Sequence, residues 1–171
     1  MKALIVIDVQ NDFVTGTLGT KEAVAVLPNI KRKIDAYVKE GNGVIFTRDT
    51  HGTDYLETNE GRNLPVPHCI KGSYGWQVAG EIDLPEREHI DKTSFGYTEW
   101  AELLAGRNYT GLELIGVCTD ICVISNALIL KAAFPEIDIT VDAGCCAGVT
   151  PETHAAALTA MKSCQINVIG E

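Results

Sequence analysis

Cys118 and Cys122 stand four residues apart in GVCTDICV, where the apolar run 112–117 passes into a helical pattern. If Thr119 caps that helix, Cys122 falls in its first turn. There the free backbone N–H groups and the positive end of the helix dipole favour a thiolate. The same N–H groups suit an oxyanion. Cys118 precedes the helix, and the pair lacks the two-residue gap of redox and zinc-clip motifs. A single reactive thiol, a redox pair and burial as a small apolar side chain are the readings this spacing leaves open. Asp8 in LIVIDVQNDF is costly inside a buried strand unless it is paired. Lys92 in HIDKTSFG is a cation that would depress a thiol pKa if brought near it. Asp8, Lys92 and Cys122 together supply a base, a cation and a nucleophile. Each has a plainer use: Asp8 as a turn cap beside Asn11 or Asp12, and Lys92 as a solvated side chain.

A second group lies in RDTH (48–51) and PHC (67–69). Asp49 and His51 share one side of an extended segment. His68 returns from the following loop, and Glu60 or Glu57 lies between. A carboxylate with two imidazoles suits a divalent transition metal with positions open to water or substrate. It also suits ordinary polar loop chemistry.

The elements that must position these residues alternate in type. Short apolar runs at 3–9, 43–49, 88–92, 112–117, 137–143 and 166–170 read as strands, nearly continuous as in sheets buried on both faces. Helical spacing marks 27–41, 98–106, 120–134 and 150–164, with Thr98 and Thr150 as N-caps and Pro151 at a first helical position. The stretch 50–75 reads as a long irregular loop, a common home for function. Helix 120–134 is apolar on most faces, which places it centrally or at a subunit interface. Alternating strands and helices predict a three-layer (αβα), doubly wound parallel sheet. Ligands bind such sheets beyond the carboxyl ends of the strands, and Asp8, Asp49, His51, Lys92 and Cys122 all fall on that rim.

The 171 residues, 46% apolar and 22% charged, fit a single domain spanning 1–171. A net charge of −9 argues against nucleic acid or an anionic membrane as partner and leaves a small molecule. No stretch reaches the roughly 18–20 apolar residues of a membrane span. MKALIVIDVQNDF carries Asp8 and no small-residue cleavage site, so it reads as a first strand of a cytoplasmic protein. The six cysteines are then expected to be reduced.

Four segments in order along the whole chain, IDVQNDF, FTRDTH, DKTSF and GVCTDICV, resemble the isochorismatase-like cysteine hydrolases, and within them the nicotinamidases or pyrazinamidases. The resemblance implies a Rossmann-like six-stranded parallel sheet of order 3-2-1-4-5-6. It makes Asp8, Lys92 and Cys122 catalytic and places a cis peptide at Val117–Cys118. The backbone N–H groups of Cys118 and Cys122 would then form an oxyanion hole. It implies one divalent metal (zinc, iron or manganese) on Asp49, His51 and His68, with Glu60 as a further ligand, and a substrate pocket containing Phe13. Many nicotinamidases carry an aromatic residue three positions before the metal histidine. Here that position is Pro65, so Trp76 and Phe95 are the candidates for the missing wall. The implied reaction is deamination of nicotinamide or a similar aromatic amide through a thioester, by an enzyme expected to be a homo-oligomer. An isochorismatase-type ether hydrolase, another amidase, a non-catalytic scaffold and a thiol redox protein are the alternatives.

Overall fold

Ala3–Ile7 (β1) is apolar throughout, and all five residues are buried, as a central parallel strand requires. The computed structural model describes residues 1–171. Alternation along β1 splits the core. Ala3, Ile5 and Ile7 face one side of the sheet, where they join Trp100, Leu130 and Met161. Leu4 and Val6 face the other, with Ile30, Ile34 and Phe46. β1 ends at Ile7 rather than at residue 9, because Asp8 turns to φ 49. That left-handed conformation breaks the extended run.

The remaining strands are Gly43–Asp49 (β2), Glu88–Lys92 (β3), Gly111–Val117 (β4), Asp138–Ala147 (β5) and Asn167–Ile169 (β6). They form one six-stranded parallel sheet in the order β3-β2-β1-β4-β5-β6. Strand order reverses between β1 and β4, which puts the carboxyl ends of both at the point where such sheets bind ligands. β5 runs four residues beyond the expected 143, with a register shift against β4 between Leu114 and Gly116.

Asn11–Val14 (α1) is a short turn that the sequence pattern does not announce. The next helix, Lys21–Lys39 (α2), starts six residues before the expected 27. Thr20 caps it by accepting from Ala23 N at 3.0 Å, and Pro28 lies inside the helix instead of opening it. Within 50–75 the chain forms a 3₁₀ turn, Tyr55–Glu57, and a short helix, Asn59–Asn63 (α3), capped by Thr58. Trp100–Leu103 (α4) is shorter than predicted, and Thr98 does not cap it. The predicted helix 120–134 divides into a wide turn over Thr119–Val123 and an α-helix, Ile124–Ala133 (α5). Pro151–Ser163 (α6) begins as expected, with Thr150 and Thr153 forming a reciprocal cap. No helix is long and apolar enough to cross a membrane.

Gly116 sits at the reversal point, paired with Ile7. Its φ is 122, and an added Cβ would lie 2.1 Å from Ile7 O. No side chain fits there without moving backbone. Gly116→Ala is therefore expected to destabilise the protein by about 2–4 kcal/mol through steric conflict at an unusual backbone conformation. Thermal unfolding of the variant checks this; an unchanged midpoint would contradict it.

Candidate active site

Asp8 projects from the turn after β1 and is fully buried. Its Oδ1 accepts from Thr47 Oγ1 at 2.7 Å, and its backbone N–H donates to the same hydroxyl at 3.2 Å. Its Oδ2 lies 2.6 Å from Lys92 Nζ. At that distance the ammonium and the carboxylate form a buried ion pair. Lys92 closes β3 and is 2% exposed. Its ammonium donates to Ser94 O at 3.0 Å and lies 3.7 Å from Cys122 Sγ. Cys122 lies in the turn after β4 and is 5% exposed. The three side chains thus meet at one buried point on the rim. The Val117–Cys118 peptide is cis.

Electrostatics sort the three groups. Burial works against the charge on Lys92, but Asp8, Cys122 and Asp49 outweigh it and push its pKa up, so it stays an ammonium. Burial pushes the Asp8 carboxyl above its ordinary 3.8, with Lys92 opposing. That is the direction a general base at neutral pH needs. Burial and the adjacent Asp8 push the Cys122 thiol well above its ordinary 9.0, and Lys92 pulls the other way.

Asn126, on α5, holds this turn in place. Its side chain donates to Cys122 O at 2.8 Å and Phe95 O at 3.1 Å, and accepts from Tyr97 N at 2.9 Å and Trp100 Nε1 at 2.8 Å. On the other flank Thr119 Oγ1 lies 2.8 Å from His154 Nδ1. Sequence reasoning selected neither Asn126 nor His154. The available signal for Asn126 was an amide side chain in a mostly apolar helical stretch, which needs partners when buried.

The second group also assembles. One donor atom from each of Asp49, His51, Glu60 and His68 lies within 4.8 Å of the others. His51 Nε2 is 3.0 Å from Asp49 Oδ2 and 3.6 Å from Glu60 Oε1. His68 Nε2 is 3.6 Å from Asp49 Oδ2 and 3.7 Å from Glu60 Oε1. Tetrahedral ligands on zinc at its usual bond lengths sit roughly 3.3 Å apart, close to these separations. His68 Nδ1 donates to Val66 O at 2.8 Å, which leaves Nε2 as the free donor atom. Burial and the Asp49 charge push Glu60 up, a crowding of negative charge that a cation relieves. The set fits a single divalent metal ion. Glu60 joins it because Thr58 caps α3 and turns that helix toward the histidines. Lys92 links the two groups, with its Nζ 3.5 Å from Asp49 Oδ1.

Phe13 packs edge-on to His68 at 5.5 Å. Tyr55, which sequence reasoning did not select, packs against His51 at 4.7 Å and His68 at 5.1 Å. Trp76 is engaged otherwise. Arg48 covers its ring at 3.9 Å, and its N–H donates to Thr50 Oγ1 at 2.9 Å. Phe95 is 45% exposed. Of the remaining cysteines, only Cys164 is exposed.

The isochorismatase domain model matches residues 2–170. The chain belongs to the isochorismatase family. A family member from Bacillus subtilis, called the uncharacterized isochorismatase family protein PncA, is 34% identical over 92% of this chain and 92% of its own. The nicotinamidase/pyrazinamidase of Mycobacterium tuberculosis is 26% identical over 99% of this chain and 98% of its own. An Arabidopsis thaliana relative called a probable inactive nicotinamidase is 29% identical over 94% of this chain and 88% of its own. Among solved structures, the zinc complex of a Pyrococcus horikoshii pyrazinamidase superposes with a TM-score of 0.87 at 28% identity, covering 99% of each chain. The expected six-stranded order is thus that of a known family fold.

Proposed function

We propose that this isochorismatase-family chain is a single-domain, metal-containing cysteine amidohydrolase of the nicotinamidase branch. It would convert nicotinamide, or a close aromatic amide such as pyrazinamide, to the acid and ammonia, acting in the cytoplasm as a homo-oligomer. The observation that carries the reading is the buried contact of Lys92 Nζ with both Asp8 Oδ2 at 2.6 Å and Cys122 Sγ at 3.7 Å, beside four metal-donor atoms. The relatives named as nicotinamidases and pyrazinamidases support the choice of substrate.

In this mechanism Asp8 takes the thiol proton as Cys122 Sγ attacks the carboxamide carbon. Lys92 stabilises the negative charge that passes between sulfur and carboxylate. The backbone N–H groups of Cys118 and Cys122 receive the oxyanion. The C–N bond breaks as Asp8 returns its proton to nitrogen, and ammonia leaves a thioester on Cys122. Water gives a proton to Asp8 and attacks the thioester, the C–S bond breaks, and Asp8 reprotonates the sulfur. Held by Asp49, His51, His68 and Glu60, a metal ion would offer an open position to the ring nitrogen of the substrate. Phe13, beside His68, would lie along the ring.

The test is ammonia release from nicotinamide, pyrazinamide and a panel of aliphatic amides. Turnover of the aromatic amides is expected. No release from any amide, with isochorismate consumed instead, would move the assignment to an ether hydrolase. Inactivity on every substrate would move it to the scaffold reading. Cys118→Ser separates hydrolysis from thiol redox chemistry. Burial, with Asp120 nearby, pushes the Cys118 thiol up to about 12, so it makes a poor redox partner. The serine variant is expected to keep amidase activity within about threefold, since only its main chain is used; loss of activity on the scale of a missing nucleophile would contradict this.

A further inference from the structure

The four metal donors come from two separate pieces of chain. Asp49 and His51 end β2, whereas Glu60 and His68 lie in the long excursion that follows. An ion site built this way needs something to hold the two pieces in register. The segment after Asp8 is placed to do so, and the reaction itself uses neither Gln10 nor Asp12.

Gln10 is fully buried. Its carboxamide pairs with the backbone of Asp49 from both sides. Oε1 accepts from Asp49 N at 2.7 Å, and Nε2 donates to Asp49 O at 2.9 Å. The second Nε2 proton goes to Trp76 O at 2.8 Å. The amide is saturated, and its partners fix the peptide groups on both sides of the Asp49 Cα.

Two residues later, Asp12 holds the other piece. Its Oδ2 accepts from Cys69 N at 2.8 Å, the amide immediately after His68. Cys69 stands at φ 47, a conformation unfavourable to a residue with a side chain. Its carbonyl accepts from His51 N at 3.0 Å. One peptide turn is thus held by Asp12 on one side and by the β2 piece on the other. Asp12 cannot swing away. Its backbone N–H donates to Gly75 O at 3.0 Å, its Oδ1 accepts from Thr17 Oγ1 at 2.9 Å, and a Cβ on Gly75 would lie 2.1 Å from its Oδ2.

The geometry points to Gln10 and Asp12 as positioning residues of the metal centre, Gln10 for the Asp49–His51 half and Asp12 for the His68 half. The inference rests on the metal reading above. Groups that orient metal ligands without touching the ion typically change affinity by about 10–100-fold when removed. Asp12 acts as a hydrogen-bond acceptor, so an amide oxygen can replace its carboxylate.

Zinc is the probe, measured by competition with a chromophoric chelator on the full-length protein stripped of metal. Asp12→Ala is expected to bind zinc at least about tenfold more weakly, on the scale of such orienting groups. Asp12→Asn should stay within about threefold of the parent, because its Oδ1 can still accept from Cys69 N. Thr17→Val removes one hydroxyl contact to Asp12 but leaves the Thr17 N–H contact and the bond from Cys69 N in place, so it should weaken zinc binding less than Asp12→Ala does. A second readout separates positioning from general damage. The iodoacetamide alkylation rate at Cys122 in the metal-free protein, read by peptide mass, should change less than about twofold in Asp12→Ala, whereas unfolding would uncover this buried thiol and raise its rate far more. Parental zinc affinity in a folded Asp12→Ala protein would overturn the inference. So would equal losses of zinc affinity in the Ala and Asn variants. If Asp12→Ala cannot be recovered folded, Gln10→Met carries the same comparison, and parental affinity there overturns the proposal. A parent protein that binds no zinc would instead remove the metal reading itself, and this inference with it.

Discussion

Cys122→Ala is expected to abolish ammonia release from nicotinamide while the protein stays folded and binds zinc as the parent does. The sulfur is the only group at the buried point that can form the acyl bond. Asp8 and Lys92 have nothing to activate without it. Residues that act as a unit fail together, and loss of a nucleophile costs on the order of 10⁴-fold or more in turnover. The structural cost is small by comparison. Trading a buried thiol for a methyl group leaves a minor void, worth about 1 kcal/mol. Steady-state turnover and thermal unfolding, measured side by side, check both halves. Residual turnover above a few per cent in a folded variant would mean that another group attacks the amide.

Lys92→Met should be the most destabilising single change at the site, and its effect should depend on pH. The ammonium is 2% exposed and the Asp8 carboxylate fully buried. Removing one partner leaves the other as an uncompensated buried charge, at a cost of about 3–5 kcal/mol. The sign follows from the carboxyl. Burial already holds Asp8 above 3.8, with Lys92 pulling it down. Methionine removes that pull, so the folded-state pKa rises further while the unfolded value stays put. The folded variant then binds more protons than the unfolded chain at any pH between the two values. Its stability falls as pH rises through that interval. The loss relative to the parent is therefore larger at pH 7 than at pH 4. The acid limb of any remaining activity should move to higher pH, because a protonated Asp8 cannot accept the thiol proton. Denaturant unfolding at both pH values, with a pH–rate profile, tests this. An equal loss of stability at pH 4 and pH 7 would show that Lys92 acts through packing alone.

The sequence discloses the sheet and the chemical groups because both rest on strong local rules. Continuous apolar runs mark strands covered on both faces, and residues at their carboxyl ends must share a rim. The convergence of Asp8, Lys92 and Cys122 on one rim was legible for that reason, as was the place of Asp49 and His51, whereas His68 returns from the loop that follows β2. Glu60 was harder, since its approach depends on a five-residue helix capped by Thr58 inside what reads as loop. The surroundings of the thiol were not legible. A nearby lysine would depress its pKa, whereas burial and Asp8, which are tertiary facts, push it up. Trp76 could not be placed from sequence either, because its ring answers to Arg48 across a gap of 28 residues. Gln10 and Asn126 escaped notice for a common reason. Each is a polar side chain whose hydrogen bonds go mainly to groups far away in the sequence, Asp49 and Trp76 for Gln10 and Phe95, Tyr97 and Trp100 for Asn126.

Cys164 follows α6, and it is the exposed thiol of the chain. Helices that return from a parallel sheet start at the carboxyl rim and end at the opposite one, so this sulfur faces away from Asp8 and Cys122. A bulky maleimide would attach there, because the other cysteines are buried or half-buried. The protein could then be tethered to a bead or an electrode through a single native handle, with its reacting end turned toward the solution.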